Sequence, residues 1–201
     1  MEPKSFDAEA VFQRAMTAYQ TGELGEAEQL LRIILVEMPD HDGIMVTLGG
    51  VLLAGGQIAA SIEIIQQALQ LNSTNPDAYL NLGIAYQQNG QTEEAISAIR
   101  QAAQFAPQRP DIGYNLANVL LETQQFPEAI AILQEIIGQQ PNFLQAYHTL
   151  GAVYRYQQKT EAAQQTYEQA LLVAPNDLLT LTTLGNFLAD NGQTAIATEV
   201  F

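Results

Sequence analysis

Few side chains in this sequence could do chemistry. His41 stands between Asp40 and Asp42, one imidazole and two carboxylates in consecutive positions. Consecutive side chains diverge, so these three do not converge on one cation, and the segment reads as a solvated turn. His148 precedes Thr149, but a nucleophile–base relay needs a hydroxyl, a base and an orienting acid in line. Neighbours on a helix point roughly 100° apart, so Thr149 faces away from His148. Cysteine is absent, which removes thiolate zinc sites, thiol nucleophiles and disulfides. Gly49-Gly50 and Gly55-Gly56 lack the lysine that follows a phosphate-binding loop. The sequence therefore offers no catalytic residue, no metal site and no cofactor site. Binding chemistry remains: Gln13, Thr47, Asn81, Asn115, Thr149 and Thr183 recur every 34 residues, and each can hydrogen-bond.

That step runs through most of the chain. Tyr79-x-x-Leu82-Gly83-x-x-Tyr86 returns as Tyr147-x-x-Leu150-Gly151-x-x-Tyr154. With units starting at Ala8, Asp42, Pro76, Pro110, Leu144 and Leu178, position 8 holds Ala15, Gly49, Gly83, Ala117, Gly151 and Gly185. Position 20 holds Ala27, Ser61, Ala95, Ala129, Ala163 and Ala197. Both columns contain only small residues, as a close helix crossing requires. Position 32 holds Pro39, Ser73, Pro107, Pro141 and Pro175, and proline there ends a helix. Apolar residues three and four apart define a buried face on two segments of each unit. Polar breakers divide the segments: Thr21-Gly22, Gly55-Gly56, Asn89-Gly90 and Asn191-Gly192. The spacing predicts helices at about 8–21, 24–37, 42–54, 58–71, 76–88, 92–105, 110–122, 126–139, 144–156, 160–173, 178–190 and 194–201. No alternating strand pattern competes. The expectation is an all-α solenoid, one array of units 8–41, 42–75, 76–109, 110–143 and 144–177 with a partial unit 178–201.

The period, the small-residue columns, the Leu-Gly pair and the terminal proline together resemble the tetratricopeptide repeat family over nearly the whole chain. The family's tryptophan near position 4 is absent, with Tyr79 and Tyr147 in its place, and Arg14 stands where leucine is usual. The resemblance implies antiparallel helix pairs wound into a right-handed superhelix, with the first helix of each pair lining a concave groove. It implies a protein-interaction scaffold that takes a peptide segment of a partner, and not an enzyme. The implied groove residues are Thr47, Leu80, Asn81, Ile84, Tyr114, Asn115, Asn118, His148, Thr149, Arg155, Thr183 and Asn186. Asn81 and Asn115 are similar to the asparagine ladder of O-GlcNAc transferase superhelices, where amides match an extended main chain. The groove's early part is apolar (Phe12, Met16, Val46, Leu53, Leu80, Ile84) and its later part polar and aromatic. Apart from Arg155, no base lies clearly in it. Family members that clamp a terminal carboxylate use cationic positions that here hold Phe12, Gln145 or Asp111, and Thr149 or Asn115, so that ligand class is not expected.

Charge points the same way. Twenty-two acids against seven bases give a formal net charge of −15. Such a surface repels phosphate backbones, so the expected partner is a neutral, apolar or basic protein segment and not nucleic acid. The longest apolar runs, such as Ile33–Val36, are too short to span a bilayer. The opening Met1–Asp7 has no basic n-region or apolar core, so a cytoplasmic location is expected. The last unit stops at Phe201, which leaves Ala195, Ile196, Val200 and Phe201 near an open end. Two alternatives follow: a recruiting arm of a larger glycosyltransferase- or sulfotransferase-type enzyme, or self-assembly through that end.

Overall fold

A computed structural model describes residues 6–192. Every regular element among them is a helix: α1 (Ala8–Gln20), α2 (Leu24–Glu37), α3 (Asp42–Ala54), α4 (Ile58–Leu71), α5 (Pro76–Gln88), α6 (Thr92–Phe105), α7 (Pro110–Glu122), α8 (Phe126–Gln139), α9 (Leu144–Tyr156), α10 (Thr160–Val173) and α11 (Leu178–Asp190). These match the helices expected from spacing, except that Thr21 caps α1 and does not extend it. The twelfth, expected at 194–201, lies outside the described residues, as do Ala195, Ile196, Val200 and Phe201. The chain divides into two compact units between Ile112 and Gly113, within α7. In the first, each helix from α1 to α6 packs on the next, and α3 also touches α5. In the second, α8 packs on α9, α9 on α10 and α10 on α11.

The helix pairs are held by the small-residue columns. All five described residues of position 20, from Ala27 to Ala163, are fully buried. The glycines opposite them at position 8 have a steric cause. A Cβ built on Gly49 would lie 2.4 Å from Ile65 Cγ1, on Gly83 2.4 Å from Ile99 Cγ1, and on Gly151 2.4 Å from Tyr167 Cε1. Ile65, Ile99 and Tyr167 all occupy position 24 of their own units. Where position 8 is alanine, at Ala15 and Ala117, position 24 is Leu31 or Leu133. Leucine branches one carbon later than isoleucine, so it leaves room for the extra methyl. Ser61, the one hydroxyl of the position-20 column, donates to the Gly49 carbonyl across the crossing at 2.7 Å, so its burial leaves no polar group unpaired.

The turns that follow the first helices need a left-handed residue. Gly22, Gly56, Gly90 and Gly192 supply it with φ of 73–83°, and Gln124 and Gln158 take the same place at φ 59°. Within each unit a side-chain contact ties one pair to the next. Gln66 on α4 donates to the Tyr86 hydroxyl of α5 at 3.1 Å, and Gln134 on α8 repeats this to Tyr154 of α9 at 3.0 Å. Tyr79, in the place of the missing tryptophan, stacks on Phe105 with ring centroids 5.7 Å apart. Arg14 stays exposed and pairs with Glu26. No helix among the described residues is long and apolar enough to cross a membrane.

Candidate functional site

The first unit carries a concavity of about 410 Å³. Helices α1, α3 and α5 line it, the first members of three successive pairs, with the loops before α5 and α7. Met16, Val46 and Leu80 give it apolar walls, and Thr47, Asn75, Asp77, Asn81 and Arg109 give it polar ones. Of the expected groove residues, Thr47, Leu80 and Asn81 therefore share one depression, whereas Ile84 lies half-buried and outside its lining. The Thr47 hydroxyl donates to the Gly43 carbonyl of its own helix at 2.9 Å and keeps its lone pairs. The Asn81 amide nitrogen lies 3.5 Å from the Val46 carbonyl on the preceding first helix. Its Oδ1 can still accept from an incoming N–H.

Arg109 corrects the expectation that Arg155 is the one clear base of the inner face. It reaches back from the loop before α7 to Asp77 and forward to Asp111, whose Oδ2 it meets at 2.6 Å. Both acids are second residues of their helices, one repeat apart. These bonds push the Arg109 guanidinium above its ordinary value, with Asp111 the larger cause. In return the Asp111 carboxyl is held below the usual carboxylate range, chiefly by the Arg109 hydrogen bonds. A carboxyl depressed in the folded state stabilises the fold above its unfolded pKa of about 3.9 and loses that effect as pH falls through the lower folded value. Asp111→Asn should therefore be slightly less stable than the parent at pH 6, with the gap closing below about pH 4. Urea midpoints across that range check this. The group is half-exposed, so the difference stays below about 1 kcal/mol.

In the second unit the expected residues do not share one depression. Thr149 lines a shallower notch of about 370 Å³ with Leu121, Phe126, Val153 and Tyr156. Two rings form part of its wall, Phe126 and Tyr156, with centroids 5.4 Å apart. Tyr114 bonds the Thr149 hydroxyl through its own at 3.0 Å and rests edge-on against Phe143. Asn115, Asn118 and Thr183 are half-buried and Asn186 is exposed. Arg155 lies over the Phe187 ring, 5.7 Å from its centroid, with Asp190 3.9 Å away.

His148 does have a hydroxyl and an acid beside it, though not Thr149. Its Nε2 lies 2.6 Å from Thr180 Oγ1 on α11, and Thr180 Oγ1 lies 2.6 Å from Asp177 Oδ2. Asp177 caps α11 and accepts the Thr180 backbone N–H through the same oxygen at 2.8 Å. These bonds from Thr180 hold the Asp177 carboxyl below its ordinary value. An ionised carboxylate only accepts, so the Thr180 proton goes to Asp177 and His148 must donate Nε2–H to Thr180. The relay thus runs away from a nucleophile, and Thr180 is fully buried. The three residues join α9 to α11. The sequence signal was the Asp177-x-x-Thr180 cap, whose threonine comes 32 residues after His148. His41 caps α3, its Nδ1 accepting the Ile44 N–H at 3.3 Å.

Stacked helix pairs with small-residue crossings and polar inner faces define a repeat scaffold of the kind that typically mediates protein interactions. The chain belongs to the tetratricopeptide repeat family, whose models match residues 8–32, 49–90, 88–153 and 144–177. Solved structures share the fold. One, from a functional characterisation of Pseudomonas aeruginosa PilF, superposes with a TM-score of 0.81 at 18% identity over 96% of this chain and 88% of its own. MamA gives 0.71 at 22% identity over 80% and 94%. YrrB, described as a tetratricopeptide repeat protein with an unusual peptide-binding site, gives 0.66 at 19% over 88% and 91%. No curated protein sequence matches the chain.

Proposed function

We propose that the protein is a non-catalytic interaction scaffold that holds a peptide segment of a partner on the inner faces of its first helices. The observation that carries this is the depression of the first unit, where three successive first helices place apolar walls beside Thr47, Asn81 and Arg109. An extended peptide offers alternating side chains and a main chain that both donates and accepts. Asn81 can answer that main chain whatever the peptide's sequence, and Val46, Leu80 and Met16 can receive apolar side chains. In the second unit Tyr114, Asn115, Asn118, His148, Thr149, Arg155, Thr183 and Asn186 form the corresponding inner-face set. The YrrB likeness supports peptide binding as a use to which this fold is put. A net charge of −15 favours a neutral, apolar or basic segment.

Asn81→Ala combined with Asn115→Ala tests the reading. Partner recovery in a pull-down from cells carrying the gene should fall about tenfold, the loss of one or two peptide hydrogen bonds. Helix content measured by circular dichroism should stay the same. Undiminished recovery would refute the amide contribution.

A further inference from the structure

Gly50 differs from the glycines at the helix crossings. Gly49, Gly83 and Gly151 have no space for a Cβ, whereas a Cβ on Gly50 would meet one atom only, Asn81 Nδ2, at an ordinary 3.5 Å. Packing therefore does not require glycine at this position. The fold accepts side chains there, since the equivalent places one or more repeats away hold Met16, Ile84, Asn118, Ala152 and Asn186. Helix propensity does not require it either, because an interior glycine weakens a helix. What the missing side chain does is keep the depression open. Gly50 lies in its lining with Met16, Val46, Thr47, Leu80 and Asn81, and any larger residue would project into it.

We infer that Gly50 opens a subsite for one leucine-sized aliphatic side chain of an extended, basic-flanked peptide. This rests on the peptide-binding reading above and specifies its anchor. The depression, about 410 Å³, has room for an aliphatic side chain and the main chain beside it. Walls from Met16, Val46 and Leu80 match an aliphatic group, and Asn81 stands at the edge to meet the adjoining main chain. Charge selects the flanks. Asp77 and Arg109 in the lining pair with each other and balance, so the bias comes from the chain's net charge of −15. An acidic anchor would be repelled, and lysine or arginine beside the aliphatic residue would be attracted.

The test uses the whole chain and three capped octapeptides of glycine, alanine and flanking lysines, identical except for leucine, alanine or aspartate at the fourth position. Binding is read by fluorescence anisotropy. The leucine peptide should bind at least tenfold more tightly than the other two. Gly50→Leu, which fills the subsite, should lose that preference while its melting temperature stays level or rises. Gly50→Ala should keep most of it. Leucine-selective binding that survives in Gly50→Leu would overturn the subsite and leave the peptide-binding reading standing. Equal binding of all three peptides would overturn the aliphatic anchor. Absence of binding by any of them would overturn the subsite, and a partner that still depends on Asn81 and Asn115 would show that the broader reading survives.

Discussion

Gly151→Leu should lower stability by about 3 kcal/mol, with a thermal midpoint about 6–12 °C below the parent. The cause is local. A Cβ at 151 would stand 2.4 Å from Cε1 and 2.5 Å from Cζ of Tyr167. Tyr167 is only 1% exposed, packs edge-on against Phe187 and sits among Ala163, Leu184 and Leu188, so it has nowhere to move. The remaining leucine atoms need further room between α9 and α10. Gain in helix propensity on losing a glycine returns about 1 kcal/mol at most, and the overlap outweighs it. Thermal melts followed at 222 nm measure the shift. An unchanged midpoint would mean that α9 and α10 do not cross at Gly151.

Gly83→Ala should cost about 2 kcal/mol, and Ile99→Leu should recover about half of that loss. The chain supplies the precedent. Glycine at position 8 goes with Ile65, Ile99 or Tyr167, whereas alanine goes with Leu31 or Leu133. A methyl on residue 83 meets Ile99 Cγ1 at 2.4 Å but the Ala95 carbonyl only at 3.2 Å, so the side chain is the main obstacle. Moving the branch from Cβ to Cγ relieves it. Denaturant midpoints of the parent, both single variants and the double variant close a cycle, with a coupling of about 1 kcal/mol in favour of the pair. Strict additivity would show that the two positions do not touch.

The helices were legible because each rests on local signals: apolar residues three and four apart, proline after the second helix, glycine in the turn. The two small-residue columns were legible as crossings, though not the correlation between positions 8 and 24, which requires knowing which side chain faces which. Gln124 and Gln158 gave no turn signal, because glutamine carries no preference for the left-handed conformation they adopt. On the inner face, Thr47, Leu80 and Asn81 could be placed by register, since they repeat along one helix face. Arg109 could not. It stands in a loop, and its reach to Asp77, 32 residues earlier, depends on how successive pairs stack. His148 failed for the same reason: its partners Thr180 and Asp177 belong to the next pair, while the sequence drew attention to its neighbour Thr149. Gly50 looked like its neighbour Gly49, and only the space around each separates packing from access.

The central claim is that partners meet the inner faces of the first helices. Photo-crosslinking tests it most directly, with p-benzoylphenylalanine placed in turn at Thr47, in the depression of the first unit, and at Gln67, exposed on α4. In cells carrying the gene, irradiation should yield a protein adduct from position 47 and none above background from position 67. Adducts from position 67 with none from position 47 would contradict the account.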